Sequence, residues 1–186
     1  MRCSSILRHA VIAELADMFM FKKPLSVNRL QKLIFLTQSS KGIYLYDFYM
    51  LKNIGPCNIG LDVDIKEAYL KDLINLEVST KESLISIGSK NKEFRESKAA
   101  FLQEIKQVIK NVILNFGEID ESILNFCAMI VYIDNHIEEF SNDVEKREDF
   151  IDLILKNYAN YTKENLSLAI NYLVSCNFLE RTTYGK

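Results

Sequence analysis

The chain holds two histidines, His9 and His136, and four cysteines, Cys3, Cys57, Cys127 and Cys176. That inventory limits its chemistry before any fold is considered. A catalytic triad or a histidine-based metal site needs imidazoles set among carboxylates or further ligands. His136 has Asp134 and Glu139 near it in "YIDNHIEEF". With one strong ligand, this stretch reads as a solvated helix end rather than a metal centre. His9, beside Arg8 at a helix start, is blander still. The cysteines stand far apart with no C-x-x-C pair, and Cys127 and Cys176 fall inside apolar helical patterns. They read as reduced core residues of a cytosolic protein, with no obvious charged activator for a nucleophile. Phosphate-binding, dinucleotide-binding, nucleophile-elbow and zinc-protease motifs are all absent. Carboxylate pairs such as Asp120/Glu121 and Glu138/Glu139 are adjacent, so they splay on a helix surface instead of converging. The expectation is a protein that is not an enzyme and uses no metal and no organic cofactor.

Of 186 residues, 48 % are apolar and 26 % charged, enough for a continuous core. The net charge of −2 is unevenly spread: +5 over residues 1–60, −3 over 61–89, +3 over 90–116 and −7 over 117–186. Such asymmetry fits two halves that neutralise each other, or a basic surface that receives an anionic partner. Arg8, His9, Glu14 and Asp17 interrupt any signal-peptide core near the N-terminus, and no run approaches the roughly 20 apolar residues of a membrane span. A soluble, cytoplasmic protein is expected.

The elements that must position these residues follow from periodicity. Ile6, Val11, Ile12, Leu15, Met18 and Phe19 lie near helical spacing, and Pro24 ends the segment. Ser26 offers an N-cap for "SVNRLQKLIFLTQ", whose Val27, Leu30, Leu33, Ile34 and Thr37 share a face, and Gly42 closes that helix. Tyr44, Tyr46, Phe48, Tyr49, Met50 and Leu51 are too near-continuous for an amphipathic helix and predict a buried strand. Gly55 and Pro56 then turn it sharply into a third helix, "LDVDIKEAYLKDLINLE", with Asp62 and Asp64 in its first turn. "SLISIGS" at 83–89 is a second strand. From Lys92 onward the pattern is helical: one long helix through Phe94, Phe101, Ile105, Val108, Val112 and Phe116, ended by Gly117; an all-apolar central helix at 123–133; a helix through Phe150, Ile151, Ile154 and Tyr158; and a last helix capped by Thr162, carrying Leu166, Ala169, Ile170, Leu173 and Leu179. The fold expected is mainly α (α+β). A winged-helix-like half at 1–90, with a small β-sheet, packs on a helical bundle at 91–186.

Two binding roles suit that architecture. In a winged-helix unit one helix enters the DNA groove, but here the third helix is acidic, with Asp62, Asp64, Glu67, Asp72 and Glu77 against Lys66 and Lys71. The basic residues Lys22, Lys23, Arg29, Lys32 and Lys41 surround the second helix instead, and Lys22, Lys23, Arg29 and Lys32 form the candidate partner surface.

"LQKLIFLTQ" at 30–38, "YDF" at 46–48 and "IGP" at 54–56 resemble the N-terminal signature of the Panacea domain, the SocA-like antitoxin superfamily, and most of all its YwgA-like relatives. The likeness covers about residues 26–76. The matching positions are Leu30, Lys32, Leu33, Gln38, Asp47, Phe48, Gly55 and Pro56, whereas Ile54 replaces the usual aromatic before Gly-Pro and Cys57-Asn58-Ile59-Gly60 departs after it. The resemblance implies a non-enzymatic antitoxin or adaptor that holds a protein partner. A winged-helix DNA-binding regulator is the alternative, and a homo-oligomer stays open.

Overall fold

A computed structural model describes residues 3–20, 22, 24–41, 43–78, 82–137, 147–156, 158 and 162–179. The order is α1 (Ser5–Phe19), β1 (Leu25–Ser26), α2 (Val27–Lys41), β2 (Met50–Lys52), β3 (Gly55–Cys57), α3 (Ile59–Leu70), β4 (Ile74–Val78), β5 (Ser83–Ile87), α4 (Asn91–Ser97), α5 (Ala99–Phe116), α6 (Glu121–Ile137), α7 (Arg147–Leu155) and α8 (Lys163–Ser175). The fold is mainly α with a small antiparallel sheet. β5 lies between β1 and β4, and β2 pairs with β3 in a separate hairpin. The sequence α1-β1-α2-α3-β4-β5 over that strand order gives the winged-helix-like connection.

The chain forms two compact units, residues 1–50 with 57–118, and residues 51–56 with 119–186. The expected division at 90 is thus moved to 118. The reason lies in α4 and α5, which pack on α1, with α5 also on α2, and so belong to the first unit. Within it α1 is buried on nearly every side: His9 to Ala16 are all inaccessible, the alanines allowing close helix approach. Its buried Glu14 is paired with Arg95 at 2.8 Å, the compensation that a buried carboxylate requires. Ser26 Oγ accepts from the Arg29 amide at 2.9 Å, the expected cap of α2. The register Ile74↔Ile87 and Leu76↔Ile85 puts apolar side chains on one face of the sheet.

Four local expectations are corrected. The segment 44–49 is not a strand: Tyr44 makes a single bridge, from the Cys3 amide to its carbonyl, and regular pairing starts only at Met50. Gly55 and Pro56 are not a strand-to-helix turn; they open β3, after a hairpin turn at Asn53 and Ile54. Gly55 has φ 95°, which a β-hairpin tolerates only from glycine. The third helix stops at Leu70, not Glu77. Asp72 takes φ 58°, Asp72 N donates to Tyr69 O and Leu73 N to Ala68 O, a Schellman end that frees Ile74–Val78 to become β4. The long helix from Phe94 breaks at Lys98 into α4 and α5.

In the second unit α6 buries Leu124, Phe126 to Val131, Ile133 and Ile137, and both α7 and α8 pack on it. Thr162 Oγ1 accepts from Asn165 N at 3.0 Å, the cap read from sequence. Gly42 and Glu139 lie outside the described residues, and the side chain of Phe150 is likewise not described. No helix among the described residues is long and apolar enough to cross a membrane.

Candidate functional site

The aromatic segment 44–49 lacks strand partners, so its backbone groups need others. Two side-chain amides supply them, and a third holds one of the two in place. Gln38, at the end of α2, accepts from the Leu45 and Tyr46 amides at 3.1 and 2.9 Å and donates to the Tyr46 carbonyl at 2.8 Å. Asn58 donates to the carbonyls of Asp47 and Phe48, while its oxygen accepts from Leu61 N and caps α3. Gln31 in turn holds Asn58, accepting from its amide at 3.1 Å, donating to its carbonyl at 3.2 Å, and reaching Asp62 at 2.8 Å. Side chains thereby pair backbone groups that a neighbouring strand would otherwise pair.

What the clamp displays is a cleft of about 450 Å³, lined by Cys3, Arg8, Tyr44–Phe48, Met50 and Asn58–Gly60. Its rim is apolar and wet: Tyr44 is 57 %, Phe48 90 %, Met50 42 % and Ile59 62 % exposed. Phe48 also has φ 53°, unusual for an aromatic residue. Val63 and Leu70, further along α3, are exposed too.

Beside the cleft lies a buried polar cluster. Asp64 accepts from Arg8 Nε at 2.6 Å, from the Tyr46 hydroxyl at 2.8 Å and from Ser5 Oγ at 3.3 Å. Arg8 also stacks over the Tyr46 ring, 5.0 Å from its centre. Burial pushes the Asp64 carboxyl up, but hydrogen bonds from His9, Arg8 and Tyr46, with the charge of Arg8, outweigh it and hold the group well below the usual carboxylate range. Burial first, then the Asp64 charge, pushes the Tyr46 phenol far up, so it stays a donor. His9 Nε2 lies 3.5 Å from Asp64 and 3.4 Å from Glu67, and Lys71 Nζ stands 3.3 Å from His9 Nδ1 and 3.2 Å from Glu67.

His9, Asp64 and Glu67 offer three ligand atoms within 4.8 Å of one another, close enough for one cation. Their surroundings argue for another role. A metal-bound imidazole needs an acceptor for its second nitrogen, whereas Nδ1 faces the Lys71 ammonium, and Asp64 is already held by Arg8. Lys71 Nζ stands on the Nδ1 side of the ring, and Nε2 is the nitrogen that faces the two carboxylates. The cluster braces α1, α3 and the aromatic loop.

The positions of the family-like motif divide by role. Leu30 and Leu33 are core, Gln38 is the clamp, Asp47 and Phe48 sit in the displayed loop, and Gly55 and Pro56 begin β3. Lys32 is fully buried, with Nζ donating to Cys57 Sγ at 3.5 Å. The basic partner surface does not form as expected. Arg29 is buried and donates to the carbonyls of Phe116 and Gly117 at the end of α5, Lys32 is in the core, and exposed Lys22 pairs with Glu118 at 2.8 Å. Lys23 lies outside the described residues, and the side chain of Lys41 is likewise not described. Long basic side chains that cap helix carbonyls are lost to the surface.

The residues missed from sequence are Arg8, His9 and Asp64 as one cluster, and Gln31 and Asn58 as clamps. His9 and Asp64 are 55 positions apart, so no spacing rule joins them; the one signal was a polar residue on the buried side of an alanine-rich helix. No family model matches the chain, and no curated protein matches it.

Proposed function

We propose that this chain is a non-enzymatic interaction protein of the cytoplasm, an antitoxin or adaptor of SocA-like type, which holds a protein partner at the cleft between the 44–50 loop and the start of α3. The observation that carries this reading is the exposed rim of Tyr44, Phe48, Met50 and Ile59, four large side chains around a loop whose backbone is paired by the Gln38 and Asn58 amides. Pre-ordered aromatic and apolar anchors lower the entropic cost of association and tend to become the energetic centre of protein interfaces. Four free cysteines fit a reducing compartment. The match of Leu30, Gln38, Asp47, Phe48, Gly55 and Pro56 to the SocA-like pattern supports the kind of protein.

A second reading has its own support: α3 occupies the place of a groove-reading helix in the winged-helix-like order. Against it, α3 carries Asp62, Asp64 and Glu67 with only Lys66, and its outward residues include Ile59, Val63 and Leu70. Phosphate contacts need cations there.

The test is capture from the native cell on tagged wild type and on Phe48→Ser/Ile59→Ser. A stoichiometric protein held by the first and lost from the second, at equal melting temperature, supports the proposal. Equal recovery on both, or a sequence-selective duplex as the only bound species, refutes it.

A further inference from the structure

Lys32 and Cys57 make an unusual pair. Lysine is among the residues least often fully buried, yet Lys32 on α2 is 0 % exposed and its amine points at the Cys57 sulfur, 3.5 Å away. Cys57 is the last residue of β3 and is itself 6 % exposed. The next residue, Asn58, clamps the displayed loop and caps α3. A nucleophilic nitrogen thus stands at about the 3–3.5 Å separation from which bonds form in pre-organised sites, held there by packing on both sides.

We propose that Lys32 and Cys57 form an oxidant-driven covalent cross-link, a sulfenamide between Lys32 Nζ and Cys57 Sγ, with hydrogen peroxide as the oxidant. In the first step the Cys57 sulfur attacks one peroxide oxygen and the O–O bond breaks. The sulfur loses two electrons and becomes a sulfenic acid, and peroxide is reduced to water. In the second, the Lys32 nitrogen attacks that sulfur through its lone pair, the S–O bond breaks, and the departing hydroxide takes a proton from nitrogen and leaves as water. One N–S bond replaces one N–H and one S–H, so the protein ends two hydrogen atoms lighter. A thiol reductant reverses the link, since thiolate attack on sulfur returns the amine. The bond ties α2 to the strand that leads into Asn58 and stiffens the base of the loop clamp.

Proximity supplies the selectivity. Sulfenic acids in open sites are captured by other thiols or oxidised further, whereas the Lys32 amine stands 3.5 Å from the Cys57 sulfur and is buried with it. Cys127, fully buried in α6 with its thiol pushed up to about 12 by burial and then by Cys176, serves as an internal control that should stay unmodified.

The experiment is peroxide treatment of the full chain, digestion, and tandem mass spectrometry with and without dithiothreitol. The expected result is a cross-linked peptide pair containing Lys32 and Cys57, two hydrogens lighter than the sum of the free peptides, lost on reduction and absent from Cys57→Ser. Cys57 found unmodified, or as sulfinic or sulfonic acid with Lys32 free, overturns the proposal. Because the link is located directly in wild-type protein, the result does not depend on whether Cys57→Ser folds. A second readout, protection of Gln38 and Leu45 to Phe48 amides from hydrogen exchange, should rise at least twofold after peroxide and return on reduction.

Discussion

Replacing Asp64 by Asn removes one negative charge from the buried cluster and leaves every other atom nearly in place. Asp64 takes two short bonds on one oxygen, from Arg8 Nε at 2.6 Å and the Tyr46 hydroxyl at 2.8 Å, and weaker ones from Ser5 and His9 on the other. An amide keeps one acceptor oxygen and turns the other position into a donor facing donors. Breaking a buried ion pair from one side costs roughly 3–5 kcal/mol, and charge-assisted hydrogen bonds contribute about 1.5–3 kcal/mol each. Arg8 keeps 24 % side-chain exposure and can recover some hydration, which places the expected loss near the lower limit, about 3 kcal/mol. For a chain of this size that is a fall in Tm of about 6–12 °C. The sign with pH follows from the depressed carboxyl. Asp64 contributes fully above its unfolded range near about 4, and the contribution is lost as pH falls below that value. Thermal melts of wild type and Asp64→Asn should therefore differ at pH 7 and converge toward pH 2. Equal melting temperatures at pH 7, or a gap that widens in acid, would refute the cluster as a structural brace.

Gly55→Val should lose about 1–3 kcal/mol by denaturant titration, because φ 95° is closed to β-branched residues; an unchanged midpoint would remove that account. Gly88→Ala should be at least as harmful, since a Cβ there runs into the Asp72 backbone and meets Ile74 N at 2.7 Å, and neither can retreat as a flexible side chain does; a wild-type midpoint would count against this packing. Asn58→Ala should cost about 1–2 kcal/mol through the lost α3 cap and raise hydrogen exchange at Asp47 and Phe48; unchanged exchange would show that the loop is held otherwise. Chelator treatment should leave the melting temperature unchanged, whereas a stoichiometric metal that co-purifies and disappears with His9→Ala would reverse the reading of His9, Asp64 and Glu67.

The parts legible in the sequence were those governed by neighbours along the chain. Ser26 and Thr162 cap helices because their oxygens reach an amide three residues on, and the all-apolar 123–133 run had to be a buried helix. The 44–49 loop misled because an aromatic run satisfies the strand pattern equally well. Its backbone is paired by Gln38 and Asn58, amides that local composition does not distinguish from surface polar residues. Asp64 carries the same ambiguity. Its place in the sequence was read only as the first turn of the third helix, while its true partners come from α1 and the loop. Arg29 and Lys32 looked like a basic surface because charge is visible in sequence and burial of a charged chain is not.

The Phe48 and Ile59 rim is proposed to bind a protein. Its most direct test is a calorimetric titration of the captured partner against wild type, Phe48→Ser and Ile59→Ser, at low and high salt. Loss of a central apolar anchor of about 2 kcal/mol predicts roughly a 30-fold weaker Kd for each variant, with little change between salt concentrations. Unaltered affinity in both variants, or binding that falls steeply with salt and survives the loss of Phe48, would contradict it.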